Sequence, residues 1–243
     1  MDPSVEIGPY SIIGEGVEIG ADTVIGAHVV INGPTRIGAK NHIYQFSSIG
    51  DDPQDKKYAG EPTTLVIGDG NTIREYCTIS RGTVQDRGET TLGSDNWIMA
   101  YVHIAHDCVV GDHCILANNA TLAGHVRLGD WVILGGFAGI HQFCKIGAHA
   151  FLGMYSGVTR DVPAYTMVSG HPAEPKGINS EGLKRRGFTS DEQRNIKNAY
   201  RIVYRQGRKL ADAIEEIAGL AESRPELLPL LDSLRSSERG IAR

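Results

Sequence analysis

Aliphatic residues recur at every sixth position along most of this chain, and few folds can use such a period. The run goes from Ile7 to Ile49, resumes at Ile67, Ile73 and Ile79, and continues from Leu92 to Val158, twenty-three positions in all. Neither an α-helix nor a long alternating strand places apolar groups six apart. A very short strand followed by a tight turn does. Glycine directly follows many of the aliphatic residues, as at Gly8, Gly14, Gly20, Gly26, Gly111, Gly129 and Gly147. Its total, 30 of 243 residues, is well above the usual ~7%. Residues two before each aliphatic should face the same side of a strand. Most are small: Thr23, Thr35, Ser47, Ala120, Ala138, Ala150 and Ser156. All four cysteines, Cys77, Cys108, Cys114 and Cys144, fall there too, and without a CxxC pair they read as inward packing groups of a reducing compartment.

The hexads resemble those of the left-handed parallel β-helix family, in which three hexads close one triangular coil of eighteen residues. The resemblance covers residues 1–172 and implies a mainly β protein. Two breaks in the period, Asp51–Thr64 and Thr83–Thr90, read as loops extruded from the solenoid, where specificity tends to sit. After Pro172 the period stops, and residues 173–243 read as a small α-helical C-terminal domain. Ser190 and Gln193 form a candidate capping box, Ile196, Ala199, Tyr200, Val203 and Tyr204 follow helical spacing, and Gly207 suits a C′ position. Leu210–Ala221 reads as a second helix, and Pro225 opens a third that carries Leu227 to Leu234.

The net charge of −5 is unevenly spread: Lys176–Lys209 holds ten basic residues against three acidic ones on an otherwise acidic chain. An acidic partner would be steered to that segment. The first residues have neither a basic nor an apolar leader region, and no apolar stretch approaches the ~18 residues of a membrane span. The expectation is a cytoplasmic protein with no membrane insertion and no affinity for nucleic acid.

In a coil of eighteen residues, positions eighteen apart lie one above another, separated by about 4.8 Å. His106 then stands beneath Gly124 and Gln142, with His125 and His141 each one residue from that column and His103 a short step back. Three imidazoles along one edge can supply a general base and neutral polar contacts near pH 7. His28, His42, His113 and His149 lie outside that column and read as ordinary polar residues.

Several segments go beyond the shared hexad. They are His103-Ile104-Ala105-His106-Asp107, the run Ile115 to His125 (I-L-A-N-N-A-T-L-A-G-H), His141-Gln142-Phe143, Tyr44-Gln45-Phe46, Lys57 to Pro62 (K-Y-A-G-E-P), Arg81-Gly82-Thr83, and Asn179 to Phe188 (N-S-E-G-L-K-R-R-G-F). Together they resemble the UDP-N-acetylglucosamine O-acyltransferase family over almost the whole chain. The resemblance implies transfer of an (R)-3-hydroxyacyl group from acyl carrier protein to the glucosamine 3-hydroxyl of UDP-N-acetylglucosamine, the first step of lipid A biosynthesis. It implies His106 as general base, Asp107 as its orienting group and the Gly124 N–H as oxyanion donor. No covalent intermediate, cofactor or metal is implied. Asp55 and Lys57 would meet the donor hydroxyl and the phosphate region. His103, His125, His141 and Gln142 would line the sugar and pantetheine cleft, and Asn179, Glu181 and Arg185 would hold the nucleotide. Lys184, Arg185 and Arg186 would bind the carrier protein. The family is a homotrimer with clefts between subunits.

Met154 matches the family's acyl-chain ruler, where a bulky residue shortens the channel, so a medium-length donor is expected. Two departures stand out: Ser80 where the family carries histidine, and Gly170-His171-Pro172 where it carries Gly-Asn. Competing readings are another hexapeptide acyltransferase, such as the N-acyltransferase acting on the 3-O-acylated sugar nucleotide, a zinc β-helix enzyme of the carbonic anhydrase type, and a purely structural solenoid.

Overall fold

A computed structural model describes residues 1–243. Short strands of two to five residues build three sheets, which form the faces of a triangular prism. Face A holds ten strands from Glu6–Ile7 to Glu174–Ile178, face B eight from Ile12–Ile13 to Gly157–Val158, and face C seven from Val17–Ile19 to Lys145–Ile146. The chain visits A, B and C in turn, and the pairing is parallel with an eighteen-residue step: Ile104 lies against Leu122, Leu122 against Ile140, and Ile140 against Val158. This is the left-handed β-helix that the hexads imply. Only the last strand of face A, Glu174–Ile178, runs antiparallel, closing the solenoid beside Thr166–Ser169.

The hexad aliphatics from Ile19 onward are buried in one continuous core. Each contributes on the order of 1.5–3 kcal/mol by leaving water. The residues two before them also turn inward, and their polar atoms tie successive coils together. Cys108 Sγ donates to the Ala123 carbonyl at 3.2 Å, Cys114 Sγ to Gly129 at 3.2 Å, and Thr23 Oγ1 to Gly38 at 3.0 Å. Burial pushes the Cys108 and Cys114 thiols up to about 12 and those of Cys77 and Cys144 to about 11, so all four are packing groups. The same inward position also holds Asn41, Asn71 and Asn96, which form a buried ladder. Asn71 donates to Asn41 Oδ1, and its own Oδ1 accepts from the Asn96 N–H at 2.9 Å.

Most corners contain a non-glycine residue in the left-handed region, among them Tyr10, His28, Phe46, Tyr76 and Tyr101 on the edge between faces A and B. Stacking makes use of these costly conformations: those five rings are spaced 4.8 to 5.3 Å apart. On the edge between C and A, His113, Trp131, His149 and Tyr165 stack in the same way. His28, His113 and His149 are therefore rungs of aromatic ladders, and His42 stacks on Tyr44.

Both excursions are shorter than the break in periodicity suggests, because Asp51, Thr64, Glu89 and Thr90 are still paired as strand residues. Arg81 anchors the first: its guanidinium donates to the Gly50 carbonyl at 2.6 Å and to the Tyr58 hydroxyl at 3.0 Å, and it pairs with Asp52.

The C-terminal segment forms four helices, α1 (Ser180–Arg185), α2 (Ser190–Tyr204), α3 (Leu210–Ala221) and α4 (Leu228–Arg235). The capping box of α2 lies one residue earlier than Ser190 and Gln193. Thr189 is extended and caps the Glu192 N–H, while the Glu192 carboxylate accepts from the Thr189 N–H at 2.7 Å. Gly207, with φ +66°, follows the C-cap Arg205 by two residues, beyond C′. Leu183, Ile196, Ile217, Leu227 and Leu231 build a second core that reaches back to Ala164 and Tyr165. The chain end returns to the solenoid, where Ile241 bridges Asp161 and both Ile241 and Ala242 are buried. No helix is long and apolar enough to cross a membrane.

Candidate active site

His106 sits on the edge between faces B and C, two residues past the core residue Ile104. The next residue, Asp107, adopts φ +59°, which turns its carboxylate back under the imidazole. His106 Nδ1 lies 2.8 Å from Asp107 Oδ2. The carboxylate is buried and held from below by Thr83, whose hydroxyl donates to Oδ2 at 2.6 Å and whose N–H donates to Oδ1 at 2.9 Å. Burial works to raise the carboxyl pKa, but the hydrogen bonds from His106 and Thr83 outweigh it and hold Asp107 below the usual carboxylate range. An ionised Asp107 fixes the Nδ1–H tautomer of His106 and leaves Nε2 as the free acceptor.

On the next coil Gly124 lies flat against that ring. A β-carbon there would stand 2.6 Å from His106 Cε1 and 2.7 Å from Nε2, so no other residue fits without displacing the imidazole. The Gly124 N–H, like that of equivalent corner residues, makes no hydrogen bond within the coil. His125 stands edge-on to His106 with ring centroids 4.9 Å apart, stacks on Phe143 at 4.2 Å, and is tied through Nδ1 to Asp86 Oδ2 at 2.8 Å.

These groups open into one cavity of about 700 Å³ lined by Asp55, Lys57, Asp86, His106, His125 and Gln142, among others. The two imidazoles, Gln142 and both residues of the first excursion thus share one cleft. His141, on the same edge, faces a neighbouring groove over face B, together with Phe137, Gly139 and His171. His103 is on face B itself, its Nδ1 2.7 Å from Thr78 Oγ1, and burial and the nearby His106 lower its pKa.

The remaining candidates are elsewhere. Met154 is 66% exposed on the edge between A and B. Asn179 caps α1 through Gly182 N–H and donates to the His149 carbonyl, which places α1 on the edge between C and A. Glu181 pairs with Arg185 at 3.0 Å on that exposed helix, next to exposed Lys184. Arg186 is less available to a carrier protein than its sequence position suggests. It lies over the Trp131 ring and donates to His149 Nδ1 at 3.1 Å. Ser80 is buried.

Thr83, Thr78 and Asp86 are site residues to which the sequence reading gave no part. Arg81-Gly82-Thr83 was visible as a motif, but it pointed to no partner. His106, Asp107 and His125 bring three potential metal donors within 4.8 Å of one another. Both Nδ1 atoms and the Asp107 carboxylate already serve hydrogen bonds, to Asp107, Asp86 and Thr83, which suits an acid–base relay better than a tetrahedral ion.

Residues 161–242 match the profile described as "Udp N-acetylglucosamine O-acyltransferase; Domain 2", and residues 2–33 and 89–124 match bacterial transferase hexapeptide repeats. The chain is 61% identical over 239 residues to an acyl-[acyl-carrier-protein]--UDP-N-acetylglucosamine O-acyltransferase of Thiobacillus denitrificans, covering 98% of this chain and 93% of that relative. A relative of the same name from Pseudomonas aeruginosa is 56% identical, with 100% and 96% covered. Among solved structures, the UDP-N-acetylglucosamine O-acyltransferase of Moraxella catarrhalis superposes with a TM-score of 0.98 at 50% identity over 100% of this chain and 94% of that one. The UDP-N-acetylglucosamine acyltransferase of Francisella novicida gives 0.96 at 44%, over 100% and 91%.

Proposed function

The chain belongs to the acyl-[acyl-carrier-protein]--UDP-N-acetylglucosamine O-acyltransferase family, and on that premise we propose how its residues carry out the reaction. It transfers an acyl group from acyl carrier protein to UDP-N-acetylglucosamine, in lipid A biosynthesis. The acyl group is an (R)-3-hydroxyacyl chain and the acceptor is the glucosamine 3-hydroxyl. His106 Nε2 takes the hydroxyl proton as the oxygen attacks the thioester carbonyl, and Asp107 stabilises the imidazolium that results. The Gly124 N–H faces the developing oxyanion. When the C–S bond breaks, the imidazolium returns its proton to the leaving thiolate, so no covalent enzyme intermediate forms. The inward thiols agree with that, since none reaches the cleft.

The observation that carries this reading is the chain Thr83–Asp107–His106 with Gly124 pressed against its end. Asp55 and Lys57 contact the donor hydroxyl and the phosphate region from the first excursion, while His125, Gln142 and, from the adjoining face, His103 and His141 line the sugar and pantetheine path. Asn179, Glu181 and Arg185 hold the nucleotide, Lys184 and Arg185 receive the acidic carrier protein, and Met154 ends the acyl channel. These last groups lie on other edges of the prism than His106. A homotrimer resolves the separation, because an edge of one copy can complete the cleft of the next. A carrier protein and a sugar nucleotide are both water-soluble, and the proposed place of the reaction is the cytoplasm.

Incubating the protein with UDP-N-acetylglucosamine and hydroxyacyl carrier proteins of several chain lengths tests the proposal. O-acylated sugar nucleotide should accumulate with medium-length donors, and Met154→Gly should shift the optimum to longer ones. No product from any donor would overturn the reaction, and an unchanged length profile in the variant would overturn the ruler.

A further inference from the structure

Beyond the catalytic histidine, the cleft continues along face C to two cations that the reaction described above leaves unused. Arg127 and Lys145 are register partners on adjacent strands of face C, about 4.8 Å apart, and both line the same cavity as His106 and His125. Arg127 is exposed and has no carboxylate within ion-pair distance. Lys145 points at the chain end, where its Nζ donates to the Ser236 carbonyl at 2.8 Å and pairs with the Glu238 carboxylate at 2.6 Å. Lys145, and after it Arg127, hold the Glu238 carboxyl below its ordinary range, so both cations act on the same carboxylate.

A carboxylate facing two cations in a substrate cleft has the chemistry of a stand-in. Glu238 is poorly suited to be a permanent partner: its side chain is 81% exposed, and water screens exposed pairs of this kind until they hold little. The diphosphate of a sugar nucleotide carries two charges and more acceptor oxygens than a carboxylate, a phosphodiester carries one charge, and a guanidinium beside an ammonium is well matched to either. We propose that Arg127 and Lys145 form an anion subsite that receives a substrate phosphoryl group, which displaces the Glu238 carboxylate. The inference rests on the acyltransferase reading, because it takes the ligand from that reaction's substrates. The phosphoryl group belongs either to the diphosphate of the sugar nucleotide or to the phosphodiester of the carrier's pantetheine arm.

The test uses Arg127→Gln/Lys145→Gln and, separately, Glu238→Gln in the full chain. Initial rates are measured with each substrate varied in turn against saturating amounts of the other. The double variant should raise one KM by about tenfold with kcat nearly unchanged, and Glu238→Gln should lower that same KM by about threefold. Whichever KM moves identifies the source of the phosphoryl group. If Lys145 and Glu238 only anchor the chain end, both variants loosen it and shift KM in the same direction, which would overturn the proposal; so would two unmoved KM values. Calorimetric titration with pyrophosphate needs no turnover and separates this failure from failure of the acyltransferase reading. Pyrophosphate should bind the unaltered protein, bind Glu238→Gln more tightly and leave the double variant without measurable heat. Equal binding by all three would sink the subsite even if transfer is confirmed.

Discussion

Gly124 has no side chain because His106 already stands where one would go. In Gly124→Ala the new methyl group must push the imidazole out of line with Asp107, and displacements of that size cost rate through lost alignment. The expected outcome is a fall in kcat on the order of 10²-fold with the thermal midpoint little changed. Asp107→Asn probes the other side of the same ring. Its Oδ1 can still accept from the Thr83 N–H, which leaves Nδ2 facing His106 Nδ1 as a donor and forces the imidazole proton onto Nε2, the atom that must accept. A fall in kcat of about 10²–10⁴ follows from the wrong tautomer, with the substrate KM values nearly unchanged; a variant within tenfold of normal would remove Asp107 from the mechanism. Eighteen-residue stacking made the His106–Gly124 column legible in the sequence. Thr83 and Asp86 were not legible as partners, because they reach the site through an excursion whose path no period specifies.

At the level of elements, the hexad rule was readable because each strand repeats one local decision: aliphatic in, often a glycine directly after it, a tight corner, small residue in again. Where that decision is made only once, reading was less exact. Thr189 and Ser190 both suit an N-cap, and only the extended backbone of Thr189 distinguishes them. The junction of solenoid and helices depends on contacts that no pattern announces, above all the seat of Arg186 between Trp131 and His149. Burial and the adjacent guanidinium push His149 down from 6.5 to about 4, so it stays neutral and accepts from Arg186. The unfolded chain then binds more protons than the native one between those two values. Stability contributed by the neutral ring is complete above pH 6.5 and is lost as pH falls toward 4. His149→Gln keeps an acceptor for Arg186 but cannot titrate. Between pH 7 and 5, denaturant unfolding should show the unaltered protein losing about 1–2 kcal/mol more than this variant. Parallel losses would show that the junction does not sense protonation.

Across the whole molecule, three edges carry three different chemistries. The proposed base and its relay occupy the edge between B and C, Met154 the edge between A and B, and the Asn179–Arg185 segment the edge between C and A. No bending of a stacked prism brings these edges together, since every coil is hydrogen-bonded to the next and filled by the same core. The proposed homotrimer would do so without deforming the solenoid, because each heterologous contact joins one edge to a different edge of the next copy. Complementation follows from that arrangement. His106→Gln lacks the proposed base and Arg185→Ala the proposed nucleotide contact, so each alone should be nearly inactive if both groups serve one cleft. Mixed in equal amounts after reversible dissociation, the two variants should regain about a quarter of full activity, the chance that a cleft pairs an intact His106 with an intact Arg185 from its neighbour. Turnover assays on the mixture, compared with each variant alone, read this directly. A cleft built within a single chain would leave the mixture no more active than the mean of its parts, because no exchange of subunits could then unite the two intact residues.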